Sequence, residues 1–213
     1  MSAMVDADDR VTKDARTRRC NVARRQALCG AGALLAALAG CSKNDAAPGG
    51  EPAPPIAAPR RAYESASRGT GFVVGQAMAA RSVLVFFDPQ CPHCAALWLA
   101  SKPLQDRIRM VWMPVAFIGA SSAPQGALLL AAKDPASAMD QHESLLAAGQ
   151  GGLAVSGPAD ADLLAKVKAN TALWQSLDAS SVPHLVYRIG EAGPYGEHSG
   201  GLPSAQLAQL LAL

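Results

Sequence analysis

Two cysteines separated by two residues follow directly on a nearly continuous apolar run. The run Ser82–Phe87 is rich in β-branched and aromatic side chains, which is typical of a strand buried on both faces. A turn signal, Asp88-Pro89, ends the run, and a helical pattern begins at the cysteines and continues to about residue 104. A pair of thiols between a buried strand and a helix predicts a redox motif on an α/β scaffold.

The position of the pair at a helix N-terminus predicts different properties for its two thiols. The first amide groups of a helix lack partners and favour negative charge, so we expect Cys91 to be an exposed thiolate of lowered pKa. Cys94 lies one turn further on and more buried, where it can resolve a mixed disulfide. Pro92 lacks a backbone N–H, but an N–H in the first turn of a helix has no partner within the helix, so no hydrogen bond is lost. His93 can add positive charge or a hydrogen bond near the thiolate. A reduced form stabilised in this way makes the disulfide a good oxidant.

Three other interpretations of Cys91 and Cys94 compete with this one. A zinc site needs a second pair of suitably spaced Cys or His ligands, which the sequence lacks. A structural disulfide closing so short a loop would constrain little chain entropy. A copper-binding dithiol, helped by His93 or by methionines, remains an alternative. For thiol exchange itself we expect no metal and no organic cofactor.

The rest of the folded region alternates between strand and helix patterns, which indicates an α/β fold. Strands are predicted at 72–74, 82–87, 109–115 and 183–189, with a weaker one at 196–199. Helices are predicted from 95 onwards and at 122–133, 136–148, 160–176 and 204–213. Trp98, Trp112 and Trp174 are predicted to be core residues, and His142 and His198 to be surface or hydrogen-bonded histidines. Asp88 is either a turn residue or part of the active-site motif.

An export signal is predicted before the folded region. Residues 27–40 form an uncharged stretch too short to span a bilayer and follow an arginine-rich segment, which is typical of a signal peptide. Leu38-Ala39-Gly40-Cys41 resembles a bacterial lipobox, which implies cleavage before Cys41 and lipidation of its sulfur. An ordinary cleaved signal or a buried helix is the alternative. The export route and the start codon remain open.

Processing at this position would change the cysteine count and the charge. Of the five cysteines, two leave with the signal, Cys41 becomes the lipid anchor, and the pair at 91 and 94 remains. The net charge of +2 falls to a slightly acidic balance of 12 Lys and Arg against 13 Asp and Glu, so no basic field indicates a nucleic-acid partner. Pro- and Ala-rich residues predict a tether at 41–69, which leaves 70–213 as the catalytic domain.

The segment Phe86–Cys94 resembles the active-site segment of the thioredoxin-fold proteins DsbC and DsbG. Residues 131–135 resemble the helical insertion of DsbG, Val182-Pro183 the cis-proline dipeptide of the fold, and 201–203 the approach to the last helix. The resemblance spans about residues 70–213. It implies a thioredoxin fold with a helical insertion and thiol:disulfide interchange as the activity.

The resemblance also implies roles for residues near the second motif. Pro183 would be cis and would face the Cys91 sulfur, while the backbone of Val182 would pair with an extended substrate segment. His184 would line the substrate groove. Pro92-His93 and Val182 are similar to DsbA, the disulfide donor, whereas the body is similar to the isomerases. DsbC and DsbG carry an N-terminal dimerisation domain that the tether replaces here, so we expect a monomer.

Together these features predict a periplasmic, lipid-anchored thiol–disulfide oxidoreductase acting on exported proteins. Ser42 is not the aspartate associated with inner-membrane retention, so the outer membrane is the expected site. The protein would need a DsbB-like partner to re-oxidise it or a DsbD-like partner to keep it reduced. A dedicated thiol reductase is a second alternative to the copper-binding dithiol.

Overall fold

The computed structural model describes residues 58–213 and contains one mixed sheet with helices packed around it. The predicted signal peptide, the lipobox with Cys41 and the first part of the tether lie outside the described residues. The strands are β1 (Phe72–Gly75), β2 (Ser82–Phe87), β3 (Arg109–Pro114), β4 (His184–Arg188) and β5 (Tyr195–Ser199). The helices are α1 (Ala58–Ala66), α2 (Pro92–Ser101), α3 (Ser122–Ala131), α4 (Pro135–Ala147), α5 (Ala161–Ser176) and α6 (Ser204–Leu210).

Strand β2 lies at the centre of the sheet, as its apolar composition predicts. The sheet order is β1-β3-β2-β4-β5, in which β2 runs parallel to β3 and antiparallel to β4. Every residue of β2 is buried, so its side chains are covered on both faces. The parallel pair requires a crossover, which α2 and a 3₁₀ turn at Lys102–Leu104 provide. The carboxyl end of β2 therefore delivers the chain directly to the cysteine pair.

Three helices, α3 to α5, are inserted between β3 and β4 and confirm the predicted helical segments. Helix α3 packs against α4, α5 and β3, and α4 also contacts α2. The local sequence sets the start of α4, because the Asp134 carboxylate accepts a hydrogen bond from the backbone N–H of Ser137 and Pro135 occupies the first turn. The insertion thereby places one face of α4 beside the helix that carries the cysteines.

Helix α1 corrects the predicted boundary of the tether. Residues 58–66 are helical and pack on β4 and β5, so the assignment of 41–69 to a tether is wrong for this stretch. Ala58, Ala62 and Ala66 recur at a spacing of four residues and give the segment an amphipathic period, but Pro59 and the alanines continue the composition of the tether that precedes it. Tyr63 fixes the helix instead, because its ring lies 5.5 Å from that of Tyr195 and beneath the Arg188 guanidinium.

The tryptophans form part of the core, as predicted. Trp98, Trp112 and Trp174 are all buried, and the first two meet edge to face at a centroid distance of 5.2 Å. Trp98 couples the cysteine helix to the sheet through this contact. None of the helices in residues 58–213 has the length and apolar character needed to cross a bilayer.

Candidate active site

The cysteine motif lies at the junction of β2 and α2. Cys91 has an extended backbone and stands immediately before the helix, which Pro92 opens. The backbone N–H of Cys91 donates to the Asp88 carbonyl at 2.9 Å, and the Cys91 carbonyl accepts from the amides of Cys94 and Ala95. These bonds fix the turn that brings the first thiol to the helix N-terminus, where the sequence predicts it.

The two thiols differ strongly in their tendency to ionise. The pKa of Cys91 is lowered to about 6, chiefly by a hydrogen bond from the Cys94 side chain, with contributions from the amides of Cys94 and His93 and from the His93 charge; burial opposes the shift. Burial raises the pKa of Cys94 far above the usual range for a thiol, and the neighbouring Cys91 raises it further. Near neutral pH the site therefore holds one thiolate, on Cys91.

Cys91 is buried, which differs from the expected exposed thiolate. Only 4% of the residue is exposed, and Cys94 is fully buried. The reason is the segment at 182–183, because the Cys91 sulfur lies 3.6 Å from the Val182 carbonyl oxygen. The Val182–Pro183 peptide bond is cis, as the resemblance implies, and the dipeptide lies across from the thiol.

His184 does not occupy the predicted position in a substrate groove. The residue is buried in β4, and its ring nitrogens turn towards β5. Nδ1 lies 2.9 Å from the Ser199 hydroxyl, and Nε2 lies 3.3 Å from a Glu197 carboxylate oxygen without hydrogen-bond geometry. Burial lowers the pKa of His184, so the imidazole is neutral near pH 7. The side chain therefore supports the sheet behind the cis-proline.

Asp88 holds the active-site turn to the loop that follows β3. Its carboxylate is fully buried and accepts hydrogen bonds from the amides of Gln90, Phe117 and Ile118 and from the Ser122 hydroxyl. Four donors satisfy both oxygens of an otherwise costly buried charge. Asp88 is thus a structural anchor of the motif as well as a turn residue.

Two further side chains tie the helical insertion to the motif, and neither was predicted to do so. His142, buried in α4, donates from Nε2 to the Pro89 carbonyl at 2.7 Å and accepts from the Leu153 amide at Nδ1. Gln125 in α3 bonds to Gln90 and to the Gly151 carbonyl. The prediction of a hydrogen-bonded His142 is confirmed, but its partner at the active site could not be found from sequence spacing.

Glu143, the next residue of α4, is the second titratable group that sequence reasoning missed. It is buried, and burial together with the nearby Cys91 charge raises its pKa to about 8. Within residues 58–213 no three or more His, Cys, Asp or Glu side chains are grouped so that they could hold a metal ion.

The sequence is similar to two curated thiol:disulfide interchange proteins named DsbG. It is 32% identical to that of Pseudomonas aeruginosa over 143 residues, which cover 64% of this chain and 53% of the relative. It is 31% identical to that of Escherichia coli K12 over 113 residues, which cover 51% of this chain and 44% of the relative. The chain thus spans about half the length of the curated relatives it matches. No protein-family model matches the chain.

Solved structures share the fold. The catalytic domain of Proteus mirabilis ScsC superposes with a TM-score of 0.56 at 16% identity, covering 73% of this chain and 95% of that one. Pseudomonas aeruginosa DsbA2 gives 0.55 at 21% identity, covering 64% of this chain and 90% of that one. The described part of this chain has the thioredoxin fold, and the sequence is similar to those of the two DsbG proteins. In this fold the cis-proline and the cysteine pair face each other, as the resemblance implies.

Proposed function

We propose that this chain is a periplasmic thiol–disulfide oxidoreductase that exchanges disulfides with exported proteins through Cys91 and Cys94. The observation that carries the proposal is the unequal dithiol opposite the cis Val182–Pro183 bond. A thiolate at Cys91 is the nucleophile, and a thiol of raised pKa at Cys94 stays protonated until it is needed.

The exchange proceeds in two balanced steps. The Cys91 thiolate attacks one sulfur of a substrate disulfide, which forms a mixed disulfide and releases the other substrate sulfur as a thiolate. Cys94 then loses its proton and attacks the Cys91 sulfur, which closes the Cys91–Cys94 disulfide and releases the second substrate thiolate. The substrate gains two electrons and the protein loses two; in the oxidising direction the same steps run in reverse.

The position of the Val182 backbone beside Cys91 supports substrate binding at this point. The Val182 carbonyl lies beside the Cys91 sulfur, so an extended substrate segment passing this point would present its own sulfur to Cys91. We propose that such a segment pairs with the Val182 backbone as an added strand.

The proposed activity is tested by replacing each cysteine with serine. We expect Cys91→Ser to abolish both the reduction of a protein disulfide and the oxidation of a dithiol peptide. Cys94→Ser should accumulate a mixed disulfide with substrate, because the resolving thiol is gone. Exchange that survives Cys91→Ser would refute the proposal, as would stoichiometric Cu(I) binding by a wild-type protein with negligible exchange.

The redox partner of the protein decides the direction of exchange in the cell. The lowered pKa of Cys91 stabilises the reduced form, which favours disulfide donation and a DsbB-like partner that re-oxidises the protein. Alkylation of free thiols after rapid acid quenching of cells should then find Cys91 and Cys94 mostly as a disulfide. A mostly reduced pair would favour a reductase or isomerase kept reduced by a DsbD-like partner.

We further propose that lipidation of Cys41 anchors the protein to the outer membrane, as a monomer. The lipobox and the residue after it, Ser42, support this placement. Cys41→Ser should release the protein into the soluble periplasmic fraction without changing exchange activity in vitro. Membrane fractionation of the wild type tests the membrane, and gel filtration of residues 42–213, which keep the segment before the domain, tests the oligomeric state.

A further inference from the structure

A cavity of about 290 Å³ lies at the end of the sheet opposite the cysteine motif. Ser82 begins β2 and lines this cavity, whereas the motif follows the other end of the same strand. The rise per residue of a strand places about 17 Å between the first and the last residue of β2. The cavity is therefore separate from the redox site.

Two arginines flank Ser82 across the sheet and line the same cavity. Ser82 pairs with Arg109 of β3 and with Arg188 of β4. Residues that pair directly on neighbouring strands place their side chains on the same face, so the three side chains stand in one row. The Cα atoms of the two arginines are about 10 Å apart at the usual spacing of strands, and the small Ser82 side chain leaves space between them.

Neither guanidinium group pairs with a carboxylate of residues 58–213. Arg109 donates from Nη1 to the Ser82 hydroxyl at 3.1 Å. Arg188 lies over the Tyr63 ring at 5.6 Å, and its buried Nε has no hydrogen-bond partner in this part of the chain. Glu191 also lines the cavity, but it is exposed and lies beyond ion-pair distance of both arginines. A buried N–H group without an acceptor costs free energy, which a bound anion would recover.

Other arginines at this end of the sheet are satisfied by the protein itself. Arg81 donates to the carbonyl groups of Leu211 and Ala212, and Arg60 pairs with Glu64. These arginines have acceptors built into the fold, whereas the pair around Ser82 has one hydroxyl between them. This difference points to an acceptor that comes from outside the described chain.

We propose that Ser82, Arg109 and Arg188 form a binding site for a phosphate group, carried by a soluble phosphate ester or by a lipid headgroup. One arginine fork already satisfies the two coplanar oxygens of a carboxylate. Two forks on either side of a hydroxyl suit the tetrahedral oxygens of a phosphate, which accept from several directions. The Ser82 oxygen accepts from Arg109, and its own proton remains as a further donor. The site goes beyond thiol exchange and does not depend on it.

A titration with inorganic phosphate tests the site. The Cys41→Ser protein is followed by amide NMR at constant ionic strength, with phosphate replacing chloride. We expect saturable shifts at Ser82, Arg109 and Arg188, and at least a 10-fold weaker affinity in the double variant Arg109→Gln/Arg188→Gln. Acetate should give no saturable shift. Arg188→Gln alone, which keeps the bond between Arg109 and Ser82, should weaken binding at least about fivefold and replaces the double variant if that variant does not fold.

Arg68→Gln/Arg107→Gln is the matched control, because both arginines are exposed and the change in net charge is the same. It should leave the phosphate affinity within about twofold. The rate at which Cys91 reacts with oxidised glutathione should be equal in all variants, since the cysteines lie at the other end of β2. The site is refuted by phosphate shifts that do not saturate, by an equal loss in the control, or by acetate binding as tightly as phosphate.

The source of the phosphate group is decided by a second measurement on the same proteins. Arg60 and Tyr63 contact Tyr195, which pairs with Arg188, so α1 begins at the cavity end of the sheet and a lipid headgroup is one source to test. Cosedimentation of the Cys41→Ser protein with phosphatidylglycerol vesicles, lost in the double variant, would support the site with a lipid headgroup as its ligand. Saturable binding of glycerol phosphate without cosedimentation would support it with a soluble ester. Binding of neither would overturn it.

Discussion

At the scale of single residues, the site works because two identical side chains have different environments. Cys91 has hydrogen-bond donors from the Cys94 thiol and from two amides of the first helical turn, whereas Cys94 is enclosed by the core. The sequence predicts this inequality, because strand and helix patterns meet at the motif. It does not predict the burial of Cys91 or the place of Glu143, because both depend on contacts with segments 50 to 90 residues away.

The largest favourable contribution to the Cys91 thiolate comes from Cys94, and the charge of His93 is a smaller one. We therefore expect Cys94→Ala to raise the pKa of Cys91 more than His93→Ala does. The wild-type midpoint of iodoacetamide alkylation against pH should lie at about 6, and both variants should shift it upward. An unshifted midpoint in Cys94→Ala would show that the helix amides alone hold the thiolate.

At the scale of elements, the active site is a junction between β2, α2 and the inserted helices. Asp88 joins the end of β2 to the loop at 117–118, and His142 joins α4 to the carbonyl of Pro89. Hydrophobic periodicity predicts the elements themselves, including α3 to α5, within a few residues. Composition wrongly places α1 in the tether, since its alanines and Pro59 resemble the segment that precedes it.

Asp88→Asn tests the junction at the end of β2. The asparagine side chain has one carbonyl oxygen and one NH₂ group in place of two carboxylate oxygens. Its NH₂ group would therefore face another hydrogen-bond donor, either a backbone amide or the Ser122 hydroxyl. We expect the free energy of unfolding to fall by about 1–3 kcal/mol in chemical denaturation. Asp106→Asn, an exposed carboxylate after the 3₁₀ turn, should change it by less than about 0.5 kcal/mol. Equal stabilities of the two variants would contradict the anchoring role.

Gly126→Ala tests the contact of α3 with its neighbours. Alanine normally favours a helix over glycine, but a Cβ here would lie 2.8 Å from a Pro114 side-chain atom and 3.2 Å from Val167. Overpacking should dominate, with a loss of about 1–3 kcal/mol in the free energy of unfolding. Gly119→Ala, where the nearest atom lies 4.0 Å away, is the matched control and should be nearly neutral. A stabilised Gly126→Ala would mean that α3 can move away from β3.

At the scale of the whole domain, the fold and the redox state are linked through Cys91. The thiolate is more favourable in the folded protein than in the unfolded chain, because the donors around it exist only in the fold. A disulfide has no such charge, so the oxidised domain lacks this contribution. The reduced domain should therefore gain stability relative to the oxidised one as Cys91 ionises.

The sign and the pH window of this linkage follow from the lowered pKa of Cys91. The contribution is absent well below pH 6, where the thiol is protonated in both states, and it grows as pH rises towards the value of an unfolded cysteine. We expect the melting temperature of the reduced domain minus that of the oxidised domain to increase by several degrees between pH 5.5 and pH 8. Burial of Glu143 penalises both forms, whereas its repulsion by the Cys91 charge exists only in the reduced form and offsets part of this increase. Scanning calorimetry of residues 58–213 in each redox state measures this difference in melting temperature. Cys94→Ala should weaken the pH dependence of the melting temperature of the reduced form. A difference that stays constant or falls with pH would mean that the Cys91 thiolate is not held by the folded structure.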